Sequence, residues 1–193
     1  MADALSPNSN DPRVIRTRQL ILDAFLYQLH LKNFSSITIQ NITEQATINR
    51  ATFYAHFQDK YALLEALLSD AFMEYVTKRV DPEAQLSSEM MQQLIFSLCD
   101  YHVSSNECIK KYETVAPIIE ENIKTQLESF LLQIMLKRSA DADLKTLKMT
   151  AIMLSWSIYG ITYRWNIEGR QESPADLAKR VVPYMMGGLG LLR

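Results

Sequence analysis

Ser36–Leu68, SITIQNITEQATINRATFYAHFQDKYALLEALL, decides the fold. It reads as two short helices, a tight turn and the start of a third, longer helix. Thr38 suits the N-cap of the first helix, because its hydroxyl accepts from an orphan N–H of the opening turn. Ile39, Ile42 and Ala46 follow at i, i+3 and i+7, one apolar stripe on one face. Thr47-Ile48-Asn49 interrupts that period. Asn49 is a second N-cap and starts a short helix, Arg50 to His56. Phe53 and Phe57, at i and i+4, point inward with Ile48, which leaves Arg50, Thr52, Tyr54 and His56 on other faces. Asp59 is a third N-cap, and Lys60 opens a helix with Tyr61, Leu64 and Leu68 on its buried side. Two short helices around a turn, with polar donors left outward on the second, form the pattern of a helix-turn-helix.

The same residues carry a family resemblance. Thr38-Ile39-Gln40-Asn41-Ile42, then Ile48-Asn49-Arg50-Ala51-Thr52-Phe53-Tyr54-Ala55-His56-Phe57, then Asp59-Lys60 with Leu63-Leu64, resemble the DNA-binding domain of TetR-type (TetR/AcrR) bacterial transcriptional regulators. The close match covers residues 13 to 70; beyond it the likeness is one of size and helical layout. The resemblance implies an all-α fold: a three-helix helix-turn-helix DNA-binding domain, then a C-terminal helical ligand-binding and dimerisation domain. The expected divisions are a disordered tail (1–11), the DNA-binding domain (12–59) and the effector and dimerisation domain (60–193), whose first helix (60–80) connects the two. In TetR-like proteins that connection carries the regulatory motion. One residue departs from the family pattern. Thr47 stands where the family usually has Gly in the turn, and a β-branched residue is costly at positive φ.

Donor chemistry names the expected DNA contacts. Thr38 and the exposed N–H groups that open its helix suit a phosphate. Lys60, Tyr54 and His56 are further phosphate candidates. Gln40, Asn49, Arg50 and Thr52 lie at or near helix N-termini and are candidates for base edges: Arg for guanine, Gln or Asn for adenine, the Thr methyl for thymine. Capping alone would also explain Thr38 and Asn49. Arg13, Arg16 and Arg18 cluster at the start of an earlier helix, running from Asp11-Pro12 to Leu31 with Leu22, Phe25, Leu26 and Leu29 inward. Basic residues in a first turn oppose the helix dipole, which favours a DNA role over a merely solvated face.

The 193 residues are 48% hydrophobic and 22% charged, ordinary for a globular chain able to bury a core. The net charge of −2 excludes a protein that coats nucleic acid. Residues 1–60 hold six Lys/Arg against five Asp/Glu (+1), and residues 61–193 hold fourteen against seventeen (−3). DNA binding must therefore come from a local patch of donors. MADALSPNSN lacks a basic region and an apolar core, so no signal peptide is expected, and no run is long and apolar enough for a membrane span. The expected location is cytoplasmic, where Cys99 and Cys108 stay reduced; their spacing is no metal motif.

From Ser87 onward the sequence carries helical periodicity only. Expected helices are Met90–Ser104, with Met91, Leu94, Ile95 and Leu98 inward, and a short one from Asn106 to Tyr112. Ala116–Arg138 follows, with Ile123, Leu127, Phe130, Leu131 and Ile134 inward. Leu144–Ile167 comes next, and a last helix from Pro174 to Met186 that Pro183 should kink or end early. In Leu144–Ile167 the residues Met149, Ile152, Met153, Trp156, Tyr159 and Tyr163 form a stripe, while Leu154, Ile158 and Ile161 lie off it. A helix apolar on most sides is buried on two, one against its own domain and one against a partner. The last helix, with Leu177, Val181, Tyr184 and Met185, completes such a surface. The resemblance implies a homodimer through the last two helices, as reading a palindrome requires.

The family resemblance also implies a small-molecule effector site, with release from DNA by a population shift. Tyr101, His102, Tyr112, Met153, Trp156 and Tyr159 are the candidate lining residues, and the same residues read equally as core. No catalytic residue, metal site or cofactor is expected. The three histidines fit no metal or nucleophile spacing, and no Gly-rich phosphate loop occurs. The reading is a homodimeric, effector-responsive regulator, expected to repress, on a double-stranded palindromic operator. The alternative is a co-regulator working through protein contacts with weak DNA binding.

Overall fold

The computed structural model describes residues 11–81, 83, 85–111, 115–137 and 143–189, with side chains over the same residues except 105–111, 188 and 189. Among the described residues there are eight α-helices and no strand. The helices are α1 (Pro12–Leu31), α2 (Ile39–Ala46), α3 (Arg50–His56), α4 (Lys60–Thr77), α5 (Ser88–Lys111), α6 (Ala116–Leu136), α7 (Leu144–Ile167) and α8 (Pro174–Leu189). A 3-10 turn, Phe34–Ser36, joins α1 to α2. The chain divides into two compact units, one of Met1–Leu67 with Lys111–Val115, the other of Leu68–Lys110 with Ala116–Arg193.

The caps in the first unit are the ones its sequence dictates. Asp11 caps α1 through the Arg13 N–H (2.8 Å), with Pro12 in the first turn, where its missing N–H costs nothing. Thr38 and Asn41 form a reciprocal capping box on α2, each side chain accepting from the other's backbone N–H at 3.2 Å. Asn49 caps α3 through the Thr52 N–H (2.8 Å), and Asp59 caps α4 through the N–H groups of Tyr61 and Ala62. Under these ends lies a core of Ile21, Leu22, Phe25, Phe34, Ile42, Phe53, Phe57 and Leu63, all buried. Each such side chain stabilises by about 1.5–3 kcal/mol. Two expected core positions are outside it: Leu26 and Tyr61 are more than two-fifths exposed. On α1, Ile21 takes the inward place given to Leu26. Tyr61 instead lays its ring edge-on against Phe34 at 5.1 Å.

In the second unit α6 packs on α7. The inward residues expected on α5 and α6 are all buried. Three element boundaries differ from expectation. Ser88–Lys111 is one helix, since Ser104-Ser105-Asn106 lowers helix propensity without breaking it. α4 ends at Thr77, three residues short of Val80. α8 runs through the exposed Pro183 to Leu189, although an interior proline removes one hydrogen bond and crowds the carbonyl four residues back. On α7 the stripe is turned from its expected direction. Leu147, Ala151, Leu154, Ile158 and Trp165 are buried, whereas Met149, Met153 and Trp156 are more than half exposed. The residues off the sequence stripe are thus the ones that face the unit's own core. α7 ends on two left-handed residues, Gly169 (φ 87°) and Arg170 (φ 56°), and the Trp165 indole N–H donates to the Glu172 carbonyl at 2.8 Å.

Candidate nucleic-acid interface

The turn between α2 and α3 is a Schellman closure on a residue with a side chain. Thr47 sits at φ 56°, ψ 44°, in the left-handed region. Its N–H reaches the Glu44 carbonyl at 3.2 Å, and the next N–H, of Ile48, reaches Thr43 at 3.0 Å. The orphan carbonyls of α2 are thereby satisfied, and the chain is redirected into α3 despite the missing glycine. Thr47 itself is exposed.

Around that turn the donors are arranged unequally. Thr38 is exposed at the start of α2, where the capping box takes up the Asn41 N–H and leaves those of Ile39 and Gln40 facing outward. Gln40 donates to Glu44 (2.8 Å) and accepts from the Arg50 guanidinium (3.4 Å), so a polar chain Glu44–Gln40–Arg50 ties α2 to α3. The rest of the exposed Arg50 fork remains for an outside acceptor. Asn49 uses its side-chain oxygen on both the N–H and the hydroxyl of Thr52, so these two are structurally engaged. Tyr54 is 55% exposed, stands edge-on to Phe53 at 5.5 Å, and its hydroxyl has no partner among the described residues.

Two expected phosphate ligands are differently placed. The Lys60 ammonium donates to the carbonyls of Phe34 (3.0 Å), Ser35 (3.2 Å) and Ile37 (2.9 Å), and lies 4.6 Å from the Phe34 ring centroid. All three of its N–H donors are spent inside the unit. Partial burial moves its pKa below the usual lysine value. His56 is held below the ordinary histidine value by burial first and by the Arg18 charge second. Arg18 lies over the Phe57 ring at 5.4 Å, while Arg13 and Arg16 are exposed. The Lys60 and Arg18 arrangements were not read from the sequence. Aromatic residues near a lysine or arginine in the chain were the available signal, but pairing 26 residues apart is invisible to periodicity.

In the second unit the candidate effector residues separate. Tyr101, His102 and Tyr159 are buried together: His102 lies 6.0 Å from the Tyr101 ring and 5.5 Å from the Tyr159 ring, and its Nε2 is 3.2 Å from the Thr162 hydroxyl. Burial pushes His102 down to about 4. It pushes the Tyr159 hydroxyl above the usual tyrosine value, helped by the charge of Glu120. Met153 and Trp156 do not join this cluster. Trp156 instead covers the buried Lys124 ammonium, 4.0 Å from its ring, which also pairs with Glu120 and Glu121. Tyr112 and Cys108 lie outside the described side chains. Cys99 is buried, its thiol pushed up to about 12 by burial and the Asp100 charge. No described helix is long and apolar enough to cross a membrane.

A capped helix pair around a Schellman turn, with Arg50 and Tyr54 outward, defines a helix-turn-helix DNA-binding head. Residues 21–67 match the family of bacterial regulatory proteins, tetR family. Those residues thus carry a tetR-family helix-turn-helix domain, and over most of its length the chain is similar to proteins named HTH-type transcriptional regulators. The chain is 26% identical over 185 residues to the uncharacterized HTH-type transcriptional regulator YxbF of Bacillus subtilis (strain 168), covering 91% of this chain. The match spans 46% of that relative, so this chain accounts for about half its length. The HTH-type transcriptional regulator AcrR of Shigella flexneri is 26% identical over 180 residues, 77% of this chain and 78% of its own. Among solved structures, the TetR family repressor AlkX from Dietzia sp. strain DQ12-45-1b shares the fold. It has a TM-score of 0.55 and 16% identity over 93% of this chain and 98% of its own.

Proposed function

We propose that this regulator binds a palindromic DNA operator as a homodimer, represses there, and is released by a small apolar or aromatic effector. The observation that carries the DNA reading is the outward pair on α3: the unspent Arg50 guanidinium and the unpartnered Tyr54 hydroxyl, beside the open α2 N-terminus. Arg50 has the fork geometry for a guanine edge, Tyr54 and Thr38 reach phosphates, and Gln40 reads a base only by exchanging its bond to Glu44. Asn49 and Thr52 act mainly by holding the start of α3, with the Thr52 methyl as their base contact. Lys60 and His56 are weaker phosphate ligands than their charge types suggest, one with its donors spent and the other disfavoured as a cation by burial and by Arg18. Two heads reading one palindrome need spacing near one helical turn of DNA, roughly 34 Å, or a multiple.

The effector reading rests on Tyr101, His102 and Tyr159, a buried aromatic group with polar tips, and assigns Met153 and Trp156 to an outward surface instead. Release requires the effector to favour one of two states of the protein. A chain with this domain and no membrane-crossing helix among its described residues works in the cytoplasm, where its DNA is.

Fluorescence anisotropy with DNA from upstream of the protein's own gene, across a salt series, tests the reading. Wild type should bind with log K falling steeply against log salt, and Tyr54→Ala and Arg50→Ala should each weaken binding about tenfold or more. A folded dimer that binds no selected genomic fragment above a random duplex would sink the DNA claim and leave the co-regulator reading.

A further inference from the structure

Three exposed side chains bridge the turn between α2 and α3: Glu44, Gln40 and Arg50. Gln40 Nε2 donates to Glu44 Oε1 at 2.8 Å, and Arg50 Nη2 donates to Gln40 Oε1 at 3.4 Å. A glutamine and a glutamate one turn apart on a helix form, by themselves, an ordinary surface contact. This contact continues off its helix to Arg50, ten residues on, the side chain proposed above to read guanine. The helix starts that carry Gln40 and Arg50 are both held by caps, α2 by the Thr38–Asn41 box and α3 by Asn49.

The order of donors and acceptors along these three residues is forced. A guanidinium only donates and a carboxylate only accepts, so the amide between them turns its oxygen to Arg50 and its nitrogen to Glu44. Glu44 thereby removes the choice of orientation that a free glutamine has. A glutamine reads adenine with its oxygen and nitrogen together, one on the N6 amine and one on N7. An amide held between Arg50 and Glu44 cannot turn to a base without leaving one of them. The bond to Glu44 is the shorter of the two, and its acceptor is ionised, so it is the stronger restraint. The fixed amide oxygen in turn holds one edge of the Arg50 fork and sets the direction of the N–H groups that remain.

On affinity Glu44 acts with the opposite sign. An exposed carboxylate one residue removed from the base-reading arginine repels phosphates whatever the sequence, and so lowers non-specific binding. A group that weakens binding to every duplex while restricting which base is read acts on specificity.

We propose that Glu44 is a specificity-determining positioning residue: by holding the Gln40 amide it bars that side chain from adenine and leaves this corner of the head to read guanine through Arg50. It rests on the DNA reading above and adds what sets its base preference. Glu44 touches no base; it acts through Gln40.

Selection from a randomised duplex library by the full-length protein tests this, for wild type, Glu44→Ala, Gln40→Ala and the double variant. Alanine on an exposed helix face favours the helix, so each variant keeps the fold. Wild type should recover a palindrome with a guanine in each half-site that Arg50→Ala no longer selects. Glu44→Ala should gain a preference for adenine close to that guanine, at least about fivefold in fluorescence anisotropy on paired duplexes. The double variant should lose that gain. Glu44→Ala should also bind a random duplex at least about twofold more tightly, a change that a merely structural role would not produce. An unchanged base profile in Glu44→Ala, an adenine gain that survives in the double variant, or uniform weakening with the motif intact overturns the inference and leaves the DNA reading standing. A wild-type protein that enriches no sequence overturns both.

Discussion

Replacing Thr47 by glycine should stabilise the DNA-binding unit. Thr47 holds φ 56° and ψ 44°, and an L-residue there costs roughly 1–2 kcal/mol through the approach of Cβ to the following carbonyl. Its exposed hydroxyl makes no hydrogen bond among the described residues, so removing the side chain loses no partner. Glycine returns about 0.5–1 kcal/mol of that gain as extra freedom in the unfolded chain. The net expectation for Thr47→Gly is a stabilisation of about 0.5–1 kcal/mol. Both tryptophans lie in the other unit, so indole fluorescence is a poor probe here. Amide exchange of Ile48 is direct, since its N–H closes the motif on Thr43 at 3.0 Å. Its protection should rise about two- to fivefold, with Phe53 following. Thr47→Ala is the control, because it keeps the Cβ and should stay within about 0.5 kcal/mol of wild type. If Thr47→Gly exchanges faster than wild type, or Thr47→Ala gains as much as Thr47→Gly, the strain argument is wrong.

Three further expectations follow from buried polar groups. Lys60→Met strips the ammonium from three carbonyls, and should cost the first unit about 2 kcal/mol in urea unfolding followed by circular dichroism. The salt slope of DNA binding should stay at the wild-type value, whereas loss of a phosphate contact would reduce it by about one. His102 is depressed from 6.5 to about 4 by burial, so the folded state resists its protonation. Its neutral form contributes stability that is full above pH 6.5 and lost as pH falls toward 4, on the order of 3 kcal/mol. Unfolding midpoints between pH 7 and 4 should therefore fall more steeply for wild type than for His102→Gln. Cys99 is raised from 9.0 to about 12, so its thiol remains protonated in the folded protein and should resist iodoacetamide at pH 8 until urea unfolds the chain. Its neutral form contributes stability below pH 9 that is lost as pH rises toward 12.

Local chemistry alone determined the reading head. Caps at Asp11, Thr38, Asn49 and Asp59 act within three residues, and Phe53 and Phe57 are neighbours on one turn, so spacing in the chain is spacing in space. The helical class of the C-terminal half was legible for the same reason, since its helices keep one apolar period over many turns. Tertiary structure decided what periodicity cannot express. α7 is apolar on nearly every side, so nothing in its sequence said which side its own unit would cover; packing on α6 buried Leu154 and Ile158 and left Met153 and Trp156 outward. The charge types of Lys60 and His56 suggested phosphate ligands, yet three carbonyls of the Phe34–Ile37 segment took the ammonium, and burial and the Arg18 charge hold the imidazole below the ordinary histidine value. A side chain's type is written in the sequence, but whether its donors and charge are still free depends on groups many residues away, which only folding brings within hydrogen-bonding distance.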